Sequence, residues 1–221
     1  MARRIAYSVG LGPGVEAVTT QGEFANKIAQ VLSDPRGWQK YGYSFYQVPE
    51  GGDAIHYRLE TAENATELCE IGGFSCWRER PNDIVINLDN WMGGSRSKLP
   101  LDRYRTYVIN HETGHSLGLE HQKCPAEECA RRGMKTCPAS VMQQMTRGEK
   151  HVWPCVEADW PLDPDWVIDD PLAARRPCKS PILTSLVLFA ILLILIVCIA
   201  AVYAAVVICE NTRGVAFDSI N

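Results

Sequence analysis

Residues 101–121 read LDRYRTYVINHETGHSLGLEH, and the stretch from His111 to His121 decides how the whole chain is read. His111 and His115 stand four apart, so on a helix they share one face about one turn apart. Both imidazoles can then reach one ion at about 2.0–2.1 Å. Glu112 follows the first ligand, close to the metal without binding it, where it can take a proton from water. Gly118 permits the left-handed turn that ends a helix, and the reversal brings His121 in as a third ligand. Three neutral ligands leave a fourth position open, as a catalytic zinc site requires. A purely structural zinc site would give Glu112 no task.

Working outward, Pro100 and Asp102 look like a helix start with Asp102 as N-cap, and the helix should run to about Leu117. Glu23 to Leu32 has apolar residues at helical spacing and is ended by Ser-Asp-Pro. Tyr43–Val48 and Ala54–Leu59 alternate apolar with polar residues, and Asp83–Leu88 is rich in β-branched residues, so three strands are expected. The fold class read from these elements is α+β.

The chain has 221 residues and a formal net charge of −4, with no basic block along it, so a nucleic-acid partner is unsupported. Arg3 and Arg4 resemble a signal-peptide n-region, but Gly, Pro and Glu16 interrupt any apolar run, so no cleavable signal is read and residues 1–21 are taken as an N-terminal extension. Ser180 to Cys209 carries no charge, and the core of this run, residues 182–208, makes a helix about 40 Å long, more than a bilayer needs. A single membrane-spanning helix is expected there, followed by a short tail, 209–221, so that the lipid bilayer is one partner. Residues 161–181 hold five prolines and the acidic stretch DPDWVIDDP, a semi-rigid spacer rather than a domain.

Nine cysteines are many for a reduced compartment, and none forms a CxxC pair, so disulfides suit them better than a four-cysteine zinc site. Arg175, Arg176 and Lys179 ahead of the span place the large domain on the cytoplasmic side, whereas the cysteines prefer an oxidising one. The side of the membrane stays open; an assembling virus particle with its own thiol oxidase would reconcile the two signals.

The pattern HExxHxxGxxH resembles that of the metzincin zinc peptidases, whose members set a methionine turn beneath the metal. Met142, in ASVMQQM, is the residue that matches it, with Met145 second. More closely, the chain resembles an uncharacterised actinobacterial family of metallopeptidases through DPRGW at 34–38, IHYRLETA at 55–62, DIVINLDNW at 83–91, YRTYVINHETGHSLG at 104–118 and SVMQQMT at 140–146. The likeness covers about Gly22 to Pro161, so residues 22–160 are taken as the peptidase domain. It implies a metzincin-like fold, a twisted sheet with an active-site helix. It also implies one Zn2+ per chain, held by His111, His115 and His121, with Glu112 as general base and a peptide or protein as substrate.

Cys69, Cys76, Cys124 and Cys155 fall where that family also has cysteines, which implies pairs 69–76 and 124–155, with Cys129–Cys137 an added clip. Six cysteines otherwise allow fifteen pairings. The family's exported members carry their anchor ahead of the domain; here it follows. No tyrosine lies between Met142 and the apolar run to aid catalysis as in some metzincins. Trp153, Trp160 and Trp166 are read as packing residues, and His151 as a solvated one. The competing reading is a membrane-bound structural or interaction protein that keeps a zinc-binding fold without turnover.

Overall fold

The structure, a computed structural model, describes residues 3–148 and 152–163. In chain order the elements are β1 (Arg3–Leu11), α1 (Gln21–Leu32), β2 (Tyr43–Gln47), β3 (Ile55–Glu60), α2 (Ala62–Cys69), β4 (Cys76–Arg78), β5 (Asp83–Asn87), α3 (Leu88–Gly93), α4 (Leu101–Ser116) and α5 (Ala126–Arg131). Two short strands close the series, β6 (Cys137–Pro138) and β7 (Cys155–Val156). The result is a mixed α+β domain around a mostly parallel five-stranded sheet of order β2-β1-β3-β5-β4. Only β4, at one edge, runs antiparallel to its neighbour.

The sheet has two unlike faces because side chains alternate along each strand. Tyr7 and Val9 of β1, Ile55, Tyr57 and Leu59 of β3, and Ile84 and Ile86 of β5 share one face in register and are all buried. Phe24 and Ile28 of α1 and Tyr104 and Tyr107 of α4 belong to the same core. Each such side chain contributes about 1.5–3 kcal/mol by leaving water. The opposite face carries Ser8, His56, Arg58 and Glu60, with Ser8 Oγ and His56 Nδ1 2.5 Å apart.

Thr20 starts α1 with a reciprocal cap: its hydroxyl accepts from the Glu23 N–H, and the Glu23 carboxylate accepts from the Thr20 N–H. At α4 the expected cap is corrected. Pro100 occupies the N-cap position and Asp102 lies inside the first turn, where its carboxylate pairs with Lys27 at 2.7 Å. Proline suits a helix start because its missing N–H would have no helical partner anyway.

Two domain limits also move. Residues 1–21, expected as an extension, contain β1, which lies between β2 and β3 inside the sheet. At the other end, Lys40 Nζ donates to the Pro161 carbonyl at 2.5 Å and the Tyr41 hydroxyl to that of Leu162 at 2.6 Å, so the expected spacer begins inside the domain. The expected span at 182–208, the tail and the spacer from 164 onward lie outside the described residues. Among the described residues no helix is long and apolar enough to cross a membrane.

Candidate metal centre

Helix α4 is buried along most of its length, and several of its polar groups find partners inside the core. Thr113 Oγ1 lies 2.7 Å from the Tyr57 hydroxyl, the Asn110 amide donates to the Asp159 carbonyl at 2.9 Å, and the Trp38 indole N–H donates to the Asn110 carbonyl at 3.2 Å. These contacts hold the helix in one rotation, as buried polar groups require. That rotation turns His111 and His115 to the same side. The helix then stops: the Leu119 N–H bonds back to the Gly114 carbonyl, and Gly118 takes φ 93°. A side chain there would be strained, so glycine permits the reversal that returns His121.

The three histidines meet. Candidate ligand atoms of His111, His115 and His121 all lie within 4.8 Å of one another. Nε2 of His115 and Nε2 of His121 are 3.2 Å apart. Two nitrogens bound tetrahedrally to one zinc would stand about 3.3 Å apart, so the donor set fits that ion. The other ring nitrogen is already used in two of the three. His111 Nδ1 faces the Val141 carbonyl at 2.7 Å, and His115 Nδ1 faces that of Leu119 at 2.8 Å. A carbonyl accepts only from N–H, so both Nε2 atoms keep their lone pairs for a metal.

Burial and the charge of His115 hold His111 down to about 3, so it stays neutral. His115 is lowered chiefly by burial, and so is His121, to which His115 and Arg147 add.

Glu112 is 5% exposed. Burial pushes its carboxyl up to about 8, opposed by a backbone hydrogen bond with Trp77 of β4. The edge strand therefore forms the wall beside the acid.

Met142 lies directly beneath the helix. A Cβ added to Gly114 would stand 2.2 Å from its sulfur, so the close approach needs glycine at that position. Met145, the second methionine, is also buried, and its N–H donates to the Tyr107 hydroxyl at 3.0 Å. That hydroxyl in turn donates to the Gln143 carbonyl at 2.9 Å. The Gln122 N–H donates to the Met142 carbonyl at 3.1 Å, next to His121.

The six cysteines named from sequence are bonded as Cys69–Cys76, Cys124–Cys155 and Cys129–Cys137. The second joins the segment after His121 to the segment after the methionines. Cys69–Cys76 pins the loop leading into β4. Trp160 stacks on Arg36 at 4.4 Å, whereas Trp153 is 75% exposed; His151 and Trp166 lie outside the described residues.

Sequence reasoning missed Tyr107, Trp77 and Arg147. Tyr107 stands four residues before His111 on the same helix face, a spacing that could have singled it out. The other two carry no local signal. Among curated proteins none matches the chain. A family model described as protein of unknown function (DUF3152) matches residues 2–175, and the chain belongs to that family.

Proposed function

We propose that the chain is a zinc-dependent peptidase built in the metzincin manner, tethered to a bilayer by residues 182–208. The observation that carries this reading is the convergence of three imidazoles, two of them locked in orientation by carbonyls, beside a buried carboxyl. Zinc, when bound, supplies a Lewis acid that polarises a carbonyl and acidifies water near neutral pH.

The chain's own residues do the rest. His111 and His115 present Nε2 lone pairs without needing to lose a proton first, and His121 brings its ring to the same point. The Val141 and Leu119 carbonyls keep the first two rings from rotating. Glu112, with an acidity close to neutral, is suited both to accept a proton from the attacking water and to return it to the leaving amine. The Trp77 main chain, bonded to Glu112, aims that carboxyl. Met142 and Gly114, in contact beneath the helix, set how deep the floor of the site lies.

The test is cleavage of a peptide library by the full zinc-loaded chain, with and without a chelator. Cleavage should stop on chelation and return with zinc. Glu112→Gln should retain one zinc per chain and lose about 10²–10⁴-fold in rate, the usual contribution of a general base. No cleavage by the zinc-loaded wild type would sink the peptidase reading. Full biological activity of Glu112→Gln would favour a zinc-bearing interaction protein instead.

A further inference from the structure

Arg147 closes a short 3-10 turn, Met145–Arg147, that begins three residues after Met142. The turn is anchored on several sides. Met145 is fully buried, the Ser95 hydroxyl donates to the Thr146 carbonyl at 3.2 Å, and the Gly148 N–H donates to the Met145 carbonyl at 2.9 Å. The Arg147 guanidinium lies 5.4 Å from the centre of the Phe74 ring.

Phe74 is equally fixed. It sits inside the loop closed by Cys69–Cys76, with the Asn90 amide donating to the Gly73 carbonyl at 2.7 Å and the Ser75 hydroxyl accepting from the Asn87 N–H at 3.1 Å. Three residues after Phe74 comes Trp77, whose main chain bonds Glu112. The Arg147–Phe74 contact thus bridges the two walls of the candidate site, the β4 side and the methionine side.

Arg147 stands five residues after Met142, whose sulfur packs against α4 at Gly114. It is exposed, and among the described residues no carboxylate pairs with it. An aromatic face holds a guanidinium flat and leaves its N–H edge free, and that edge matches a carboxylate with two parallel hydrogen bonds. Two other surface arginines, Arg36 and Arg103, pair with Asp34 and Asp159. Arg147 has the rigid mount and, among the described residues, no such acid.

We infer that Arg147, seated on Phe74, is the specificity residue of the site and binds a carboxylate of the substrate next to the scissile bond. The inference rests on the peptidase reading for its substrate class. The carboxylate has two sources, an Asp or Glu side chain or the C-terminus of the peptide. In the first case the enzyme cuts internally beside acidic residues; in the second it trims short pieces from chain ends.

The experiment uses the full zinc-loaded chain in detergent and four matched peptide libraries, with acidic residues present or replaced by their amides, and with a free or amidated C-terminus. Two readouts are taken: relative kcat/KM for the wild type, and Kd for the zinc-loaded Glu112→Gln chain, which needs no turnover. One carboxylate source should raise both by about 10–100-fold, the range of a hydrogen bond to a charged group. Arg147→Ala should bring that ratio to about one, whatever it does to the absolute rate. Arg147→Lys should keep part of the ratio, and Arg147→Glu should invert it in favour of the amide form.

A variant that merely loosened the fold would lower all four libraries together. Equal handling of the four by the wild type, or a preference surviving Arg147→Glu, overturns the inference. Absence of cleavage together with an Arg147-dependent Kd ratio would defeat the peptidase reading and leave carboxylate recognition standing.

Discussion

The site is assembled from two regions of opposite construction. On one side stands α4, a sixteen-residue helix with ten buried residues, whose backbone bonds are local and whose candidate ligands follow from spacing. On the other side lies the segment from Gln122 to Trp160, which among its described residues holds a six-residue helix, two two-residue strands and one short turn. That segment supplies the Val141 carbonyl, Met142 and Arg147, with no long element to hold them. Two disulfides and the Tyr107 hydroxyl take the place of regular structure. A helix can place two ligands by itself, whereas a loop must be tied to do comparable work.

The comparison can be broken most directly at its covalent tie. Cys124–Cys155 spans 31 residues, and opening it should cost about 3–4 kcal/mol in the chain-entropy model. Cys129–Cys137 spans only 8 and should cost about 2–3 kcal/mol. Replacing Cys124 and Cys155 by Ser should therefore lower the unfolding midpoint more than replacing Cys129 and Cys137. It should also weaken zinc binding while far-ultraviolet circular dichroism still shows the helices. Unchanged zinc affinity in the Cys124/Cys155 variant would mean that the loop needs no tie.

A smaller effect tests the seam between the two regions. Gly114→Ala drives a methyl into Met142, and overpacking of this kind costs about 1–3 kcal/mol. Combined with Met142→Ala, the cost should fall well below the sum of the single variants, because the second change empties the space the first needs. Thermal unfolding of the four proteins measures it; strict additivity would place the two residues out of contact.

The smallest effect separates the acid from the ligands by pH. Glu112 titrates at about 8 when folded against an ordinary 4.5, so the folded state holds its proton where the unfolded state has lost it. Metal-free stability should therefore decline as pH rises through 4.5–8 on this account. His111 has the opposite sign: it titrates at about 3 against 6.5, so stability declines as pH falls below 6.5. Between pH 6.5 and 8 the Glu112 contribution meets no opposition from His111. Melting curves of the metal-free protein should show a fall over that window that is absent in Glu112→Gln. An identical fall in the variant would place the titrating group elsewhere.

Much of this was readable beforehand where the signal is local. The strands at 43–47, 55–60 and 83–87 and the helix at 21–32 lie where alternation and helical spacing put them, within a residue or two. β1 was equally readable, since Ile5, Tyr7, Val9 and Leu11 alternate with Arg4, Ala6, Ser8 and Gly10. The arginines at its start also resemble an export n-region, so two patterns overlap on the same residues. The three-residue β4 had too few residues to show any period, though it forms the wall beside Glu112.

By itself, then, the sequence determined the helix that carries His111, Glu112 and His115, the glycine turn that returns His121, and the apolar faces of the strands. All of these rest on bonds and periodicities within a few residues, and their physics is complete inside a short window. The tertiary structure alone decided the strand order that sets β1 inside the sheet and β4 at its edge, and the placing of Met142 against Gly114. It alone also brought Arg147 onto Phe74. Those partners stand tens of residues apart along the chain, and contact between them depends on the whole core closing, which no local pattern records.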